Sequence, residues 1–394
     1  MLFQRLSKFL LSSLFLIFIF SFGIYFILSP DQKISYVEYR TLEQQPDLTF
    51  HNLLSGEYVQ KYETYFTDQF PGRNLWLRLY LYIQKFTGKT FFNDSYYIAE
   101  DNWILKKPNE KLPNEIETAA KNLNEFAKLA SKHGVDLFYF SLPHRNNVIG
   151  IKFPAYVEEG RGSKYKKFFL AHVSTETMEV VDIGKRFKER FSQTELNKMY
   201  FKTDHHWNMF GAFAAYVEIN RVLSHKPYYI SNEPRYEMTC LKNKKFEGSY
   251  NRQIYMMVDP SDEKLCISMP KDDRFSKLDF YINNTKLEMQ SLYATALKSS
   301  NKTITYQDLY MSDFAEINIV NHQAKDSNVL IIKDSYASPI IPHVAQHFHK
   351  TTVIDLRHTK KTPEKYITEN NFDAVIIMYN DHNITITENT YKFK

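Results

Sequence analysis

The chain has 394 residues, 43% of them hydrophobic and 24% charged, enough for one large domain or two smaller ones with a full core. Its net charge of +5 is spread along the sequence without a basic block or tail, so the clustered Lys/Arg footprint of a nucleic-acid binder is missing. Aromatic residues are abundant, with 28 Tyr and 31 Phe. They read as a ring-rich core, or alternatively as the lining of a sugar-binding groove, because an aromatic offers an apolar face with a polar rim.

From Phe9 to Leu28 the sequence carries no charge and is long enough to cross a hydrocarbon core of ~30 Å. Arg5 and Lys8 precede it, whereas Asp31, Lys33, Glu38 and Arg40 balance one another on the far side. The positive-inside rule then leaves the N-terminus in the cytoplasm and everything after Ser29 outside. A cleaved signal peptide would have a shorter apolar core and a small-residue cleavage site. Residues 1–30 therefore read as a retained single-pass anchor, with the rest of the chain on the extracytoplasmic face of the cell membrane. Cys240 and Cys266 can pair there; with no His pair beside them they do not make a zinc site.

Residues 31–90 read as a juxtamembrane arm leading into helices, with Asp68 and Arg73 pinning a turn to the main body. The remainder, 91–394, has an α/β rhythm. Ile116, Ala119, Ala120, Leu123, Phe126, Ala127 and Ala130 recur at helical spacing, with Asn114 as a cap and Gly134 where a helix ends. A strand at 135–140 stops before Pro143. Helices at 164–172 and 209–223 and a strand at 178–183 follow. Near the C-terminus come strands at 328–332, 352–356 and 372–378, with helices at 342–349 and 363–369 between them. This alternation predicts an α/β fold with a mostly parallel sheet flanked by helices on both faces. The stretch from about 225 to 302 lacks the rhythm and reads as an irregular insertion, broken at Asn232, Pro234 and Gly248.

In such a sheet functional groups gather at the C-terminal strand ends. One end reads Ile332-Lys333-Asp334-Ser335-Tyr336. It places Ser335 between strand and helix, where backbone N–H groups can hold a developing oxyanion, although a plain helix cap suits the same position. A second cluster, Thr203-Asp204-His205-His206-Trp207-Asn208, stands directly before a helix. A serine hydroxyl is a poor nucleophile until a neutral imidazole takes its proton and a carboxylate fixes the imidazole tautomer. An Asp and a His two residues apart supply both groups. The same residues also suit a metal ion, or a structural role for a buried histidine. They resemble the motif of a phosphoesterase family named for Asp-His-His, but the further upstream ligands of that family are missing. Arg145, at another strand end, reads equally as a substrate-placing group and as a salt-bridged arginine.

The Thr203–Asn208 block, with Asp334-Ser335-Tyr336 about 130 residues later, resembles the DHHW family. This is a Gram-positive branch of the SGNH-like group that includes the alginate acetylation proteins and the PatB-type cell-wall polysaccharide O-acetyltransferases. The segments Asp68-Gln69-Phe70-Pro71-Gly72-Arg73, Asp101-Asn102-Trp103-Ile104-Leu105, Leu142-Pro143-His144-Arg145 and Phe246-Glu247-Gly248-Ser249 resemble the family's landmarks in the same order.

The resemblance implies an SGNH-hydrolase-like fold with Ser335 as nucleophile, His206 as base and Asp204 as orienting acid, without metal or cofactor. Arg145, Trp207 and Tyr336 are the residues expected against the substrate. The implied activity is acetyl transfer to hydroxyls of a cell-wall polysaccharide, the acetyl coming from a membrane-bound acyltransferase because coenzyme A is not available outside the cell. An acetyl-esterase with the same triad and a non-catalytic wall-polymer binder are the alternatives. Lys333 departs from the Gly that many SGNH proteins carry before Asp-Ser. The sequence after Asp381 leaves no room for a separate carbohydrate module, so the polymer is expected to be gripped by the catalytic domain itself.

Overall fold

The computed structural model describes residues 2–38, 40–107, 113–157, 162–230, 235–384 and 390–394, with side chains from Ser7 onward. The expected breakers Asn232 and Pro234 and the Arg5 side chain lie outside the described residues. The chain divides into two compact units, residues 1–94 with 251–257, and residues 95–250 with 258–394.

In the first unit α1 (Leu2–Leu28) is long and apolar enough over Ser7–Leu28 to cross a membrane, a test that signal sequences also pass. Helices α2 (Glu57–Gln69) and α3 (Arg73–Phe86) follow. Gly72 between them has φ 67°, a left-handed conformation that costs glycine no Cβ clash. Asp68 accepts both terminal nitrogens of Arg40, at 2.8 and 2.5 Å, and the Glu43 N–H at 2.9 Å. Arg73 meets Glu38 at 2.9 Å. These two residues were expected to pin a turn to the main body; the partners of Asp68 lie at the start of the same arm, whereas Glu38, the partner of Arg73, also accepts the Tyr255 hydroxyl at 2.7 Å from outside the arm.

After a short antiparallel strand pair, Tyr96–Ile98 with Ile104–Lys106, the second unit continues with α4 (Pro113–Lys132), β1 (Asp136–Leu142), α5 (Gly162–His172), β2 (Glu179–Asp182), α6 (Ile183–Arg190) and α7 (Met209–Leu223). Asn114 does not cap α4. Pro113 opens the helix and Asn114 falls inside its first turn, because proline's fixed φ and missing N–H suit the first helical position. An antiparallel pair, β3 (Tyr236–Cys240) and β4 (Cys266–Pro270), aligns Cys240 with Cys266, and the two form a disulfide. Next come β5 (Leu278–Ile282), β6 (Thr285–Leu287), β7 (Glu316–Asn321), β8 (Asn328–Lys333), β9 (Lys350–Ile354), α8 (Pro363–Glu369) and β10 (Ala374–Asn380). The helix expected at 342–349 is reduced to a 3-10 turn, Ser338–Ile340, and one helical turn, Ile341–Ala345. Pro339 and Pro342 stand at the first or second position of these two turns, where the missing N–H has no helical acceptor to lose.

The central sheet has the order β6-β5-β7-β9-β8-β10-β1-β2. Its β9-β8-β10-β1-β2 block is parallel, and β7, β5 and β6 extend it antiparallel, so the sheet is mixed. The stretch 225–302 lacks the β/α alternation, as its sequence does, yet it supplies β5 and β6. Side chains alternate across the sheet as the two-residue period requires. Val329 and Ile331 of β8 join one core with α7, whereas Leu330 and Ile332 join the other with α4. Each such fully buried aliphatic contributes about 1.5–3 kcal/mol. The parallel block directs the C-terminal ends of β8, β10 and β1 to the same edge of the sheet.

Burial also takes in histidines. His343 and His347, after the β8 turn, are almost fully enclosed, and burial pushes their pKa values down to about 3 and about 4. In the unfolded chain a histidine titrates near ~6.5. Protons therefore bind the unfolded state first, and the stability is complete above that value and lost as pH falls through this window. Each group costs about 1.4 kcal/mol per pH unit there. The melting temperature should fall as pH drops from about 6.5 toward the folded values of about 4 and about 3, and His343→Leu should flatten the slope. An unchanged slope in that variant contradicts the assignment.

Candidate active site

The segment before α7 is held in place by its own backbone. Asn208 caps the helix by accepting the N–H groups of Phe210 and Gly211, and Tyr200 bridges to Trp207. This leaves Asp204, His205 and His206 on a tight turn at the sheet edge. Asp204 and His206 are 2% and 5% exposed. The Asp204 Oδ1 accepts the His206 N–H at 2.9 Å and lies 2.7 Å from His206 Nδ1, and Oδ2 accepts the Ser249 N–H at 2.6 Å. Burial, the largest effect, would raise the Asp204 pKa, but His206, His205 and the Ser249 N–H together hold it well below the usual carboxylate range.

His206 Nε2 lies 2.8 Å from the Oγ of Ser335, so one chain of hydrogen bonds joins residues 129 positions apart. The imidazole stacks on Tyr306 at 3.7 Å and 8°, which fixes its plane. Ser335 is half-buried and stands two residues past the end of β8. Its turn is tied down by Asp334, which accepts the Tyr336 N–H at 2.9 Å and the backbone and side-chain N–H groups of Asn380, each at 2.8 Å. Lys333 turns away from the site and its ammonium, 1% exposed, meets Asp313 at 2.6 Å and Ser338 Oγ at 3.0 Å. The residue standing at the usual glycine position is thus a buried strut under the serine turn.

His205 takes a different direction. Its Nδ1 bonds Ser249 Oγ at 2.7 Å, and its ring packs 3.7 Å from that of His206. Burial first, then the neighbouring His206, push its pKa down. Ligand atoms of Asp204, His205 and His206 lie within 4.8 Å of one another, as do those of Asp313, Asp355 and His358. In the first group both imidazole Nδ1 atoms and both carboxylate oxygens are already engaged in hydrogen bonds within the protein. In the second the carboxylates are taken by Lys333 and Arg357.

The three residues expected to touch substrate do not reach solvent: Arg145, Trp207 and Tyr336 are each 0% exposed. Arg145 donates to the carbonyls of Lys202 and Asp204 and lies 4.8 Å from the Trp103 ring. Trp207 Nε1 donates to the Tyr336 carbonyl at 2.8 Å, and the Tyr336 hydroxyl donates to the His205 carbonyl. They brace the two halves of the site from behind. Sequence reasoning missed Ser249, Tyr306 and Glu263. The Phe246–Ser249 landmark pointed to the first; nothing local marks the other two. Glu263 accepts the N–H and Oγ of Thr203 at 2.8 and 2.7 Å and the Lys202 N–H at 3.3 Å.

Residues 97–267 match the family described as SGNH hydrolase-like domain, acetyltransferase AlgX, a span that holds Asp204 and His206 and ends before Ser335. A structure of Bacillus cereus PatB1 shares 32% identity and a TM-score of 0.67, covering 75% of this chain and 98% of that one. PatB1 with a sulfonyl adduct gives 29% identity and a TM-score of 0.67, over 77% and 99%. A DHHW family protein from Eubacterium siraeum shares the fold at 17% identity and a TM-score of 0.57, over 74% and 92%. Curated proteins give no match.

Gly248 tests how closely the site is packed, because an added Cβ would stand 2.3 Å from the Thr203 carbonyl oxygen. Gly248→Ala should displace the Ser249 N–H from Asp204, lower the melting temperature and slow labelling of Ser335 by a sulfonyl fluoride. Wild-type values for both measurements would show that the contact is dispensable.

Proposed function

The chain belongs to the family of SGNH hydrolase-like, acetyltransferase-type proteins that includes PatB1 and the AlgX domain, and we propose that it is an extracytoplasmic polysaccharide O-acetyltransferase working through an acetyl-serine. The observation that carries the reading is the relay from Asp204 through His206 to Ser335, with bonds of 2.7 and 2.8 Å. The capture of PatB1 as a sulfonyl adduct supports a reactive nucleophile in a relative.

In the first half-reaction the Ser335 Oγ attacks the acetyl carbonyl of the donor ester while its proton passes to His206 Nε2. The donor C–O bond breaks and the leaving oxygen takes that proton. In the second a sugar hydroxyl, deprotonated by His206, attacks the acetyl-serine carbonyl. The Ser335 ester bond breaks and the proton returns to Oγ. Asp204 keeps Nδ1 protonated and stabilises the imidazolium of each step. The Ser335 N–H, which has no hydrogen-bond partner among the described residues, would receive the oxyanion in this mechanism. The donor in the cell is assigned to a membrane-bound acyltransferase, with α1 as the anchor that keeps the domain beside it.

Brief exposure of the protein to an activated acetyl ester should add one acetyl group by mass spectrometry, absent in Ser335→Ala. With an oligosaccharide acceptor present, the acetyl should appear on sugar. Release as acetate regardless of acceptor would make the protein an esterase.

The two histidines part ways in a second test. His206→Ala should lower turnover at least ~100-fold, the scale of a general base, and Asp204→Asn should fall in the same range because a carboxamide can favour the wrong tautomer. His205→Ala should act mainly through melting temperature, and a strong chelator should have no effect. A large loss at His205 with normal turnover at His206, or activity restored by zinc after chelation, would overturn the assignment.

A further inference from the structure

The first unit exposes apolar side chains that the rest of the protein keeps inside. Beyond residue 86 the exposed large apolar residues among the described ones are Tyr156, Phe210 and Leu297. Helix α3, by contrast, leaves Leu75 69%, Leu79 47%, Ile83 52% and Phe86 93% exposed, a stripe at spacings of four, four and three that lies along one face. Trp76, Tyr80 and Tyr82 flank it, also exposed. A contiguous apolar surface of this kind on a protein has an occupant.

The depth of α1 identifies that occupant. Phe22 lies 5.9 Å from Phe70 and 5.8 Å from Trp76, and Phe26 lies 5.6 Å from Tyr65 and 5.0 Å from Phe66, centroid to centroid. Phe22 sits six residues inside the apolar end of α1 at Leu28, about 9 Å along a helix that rises 1.5 Å per residue. A cleft of about 550 Å³ reaches further, to Phe18, and is walled by Phe22, Gly23, Phe66, Phe70 and Trp76. If α1 spans a bilayer, the residues packed on Phe22 share its depth in the hydrocarbon.

We propose that α2 and α3 are seated in the leaflet on the domain's side, and that a lipid acyl chain fills the cleft between α1, Phe70 and Trp76. The composition of the α3 face, with Trp and Tyr beside Leu and Ile, is that of an interfacial helix. The arm is then a second attachment that holds the unit against the membrane surface instead of letting it swing from one helix. This inference rests on reading α1 as a membrane helix.

The test uses the sequence's three tryptophans, since Trp103 and Trp207 are buried at 4% and 0% exposure and Trp76 is the one left open. Full-length protein is reconstituted into phosphatidylcholine–phosphatidylglycerol vesicles with or without bromine on the acyl chains, and alkaline carbonate extraction is run on the same vesicles. The expected result is a chain that resists extraction and loses the share of its emission that comes from one tryptophan in brominated vesicles, a loss that disappears in Trp76→Phe. Extraction by carbonate removes the anchor reading and the proposal with it. A chain that resists extraction but shows no quenching keeps the anchor and overturns the proposal, leaving the α3 face to a protein partner. Trp76→Phe should turn over a soluble acetyl ester at the wild-type rate.

Discussion

A buried carboxylate without partners is among the costliest groups a protein can hold, and the Asp204 carboxylate is 2% exposed. It is tolerated because every approach to it is occupied. The backbone N–H of His206, the imidazole of His206 and the backbone N–H of Ser249 converge on its two oxygens. The Ser249 donor comes from a segment 45 residues away, so the Asp204 turn forms correctly only when that segment is docked. Gly248 is what allows the docking, with the Thr203 carbonyl where a Cβ would stand. Glu263 and Arg145 clasp the same turn from two sides, one taking its N–H groups and the other its carbonyls.

The nucleophile side follows the same logic with the opposite charge. Lys333 places a buried ammonium beneath the serine turn, and Asp313 answers it. Arg357 in turn bridges Asp313 and Asp355 at 3.1 and 2.6 Å. Breaking one member of such a network costs about 3–5 kcal/mol, because it leaves an unpaired buried charge behind. Substituting lysine for the small residue of the wider fold is therefore a packing change supported by acids from other strand ends, and it leaves the Ser335 hydroxyl pointing to His206. Asp334 is not a member of the relay. It is the tie between the serine turn and Asn380 at the end of β10.

The residues that brace the relay are mostly aromatic, which gives the high Tyr and Phe content a specific use. Tyr306 lies flat on His206, Tyr336 holds the His205 carbonyl, and Trp207 holds Tyr336. A rigid ring with one polar atom can pack and hydrogen-bond at once. Such rings keep two loops from different parts of the chain in register at little cost in side-chain entropy. The reading of the aromatics as core is the one these residues follow.

Local pattern was sufficient wherever one element's periodicity carried the signal. The helices at 209–223 and 363–369 and the parallel strands around Ser335 stand within two residues of where their spacing put them, because an apolar stripe or run is written in consecutive residues. The Asp-x-His spacing likewise lies within one turn, and it is legible for that reason. Three things were decided only by tertiary structure. Of the strands in the 225–302 stretch, β5 and β6 are five and three residues long; β6 pairs with β5, and β5 pairs with β7, a partner its own sequence does not name. Arg145, Trp207 and Tyr336 look like surface recognition residues in one dimension, yet they are buried: Trp207 Nε1 and the Tyr336 hydroxyl donate to carbonyls of other segments, and Arg145 donates through Nη1 alone and packs its guanidinium on the Trp103 ring. Ser249 is marked only by the Phe246–Ser249 segment, which does not say what it contacts, and Tyr306 and Glu263 have no local mark at all. Their roles arise from contacts made across 44, 100 and 60 residues of chain, to His205, His206 and Thr203, and such distances close only when the whole sheet has formed.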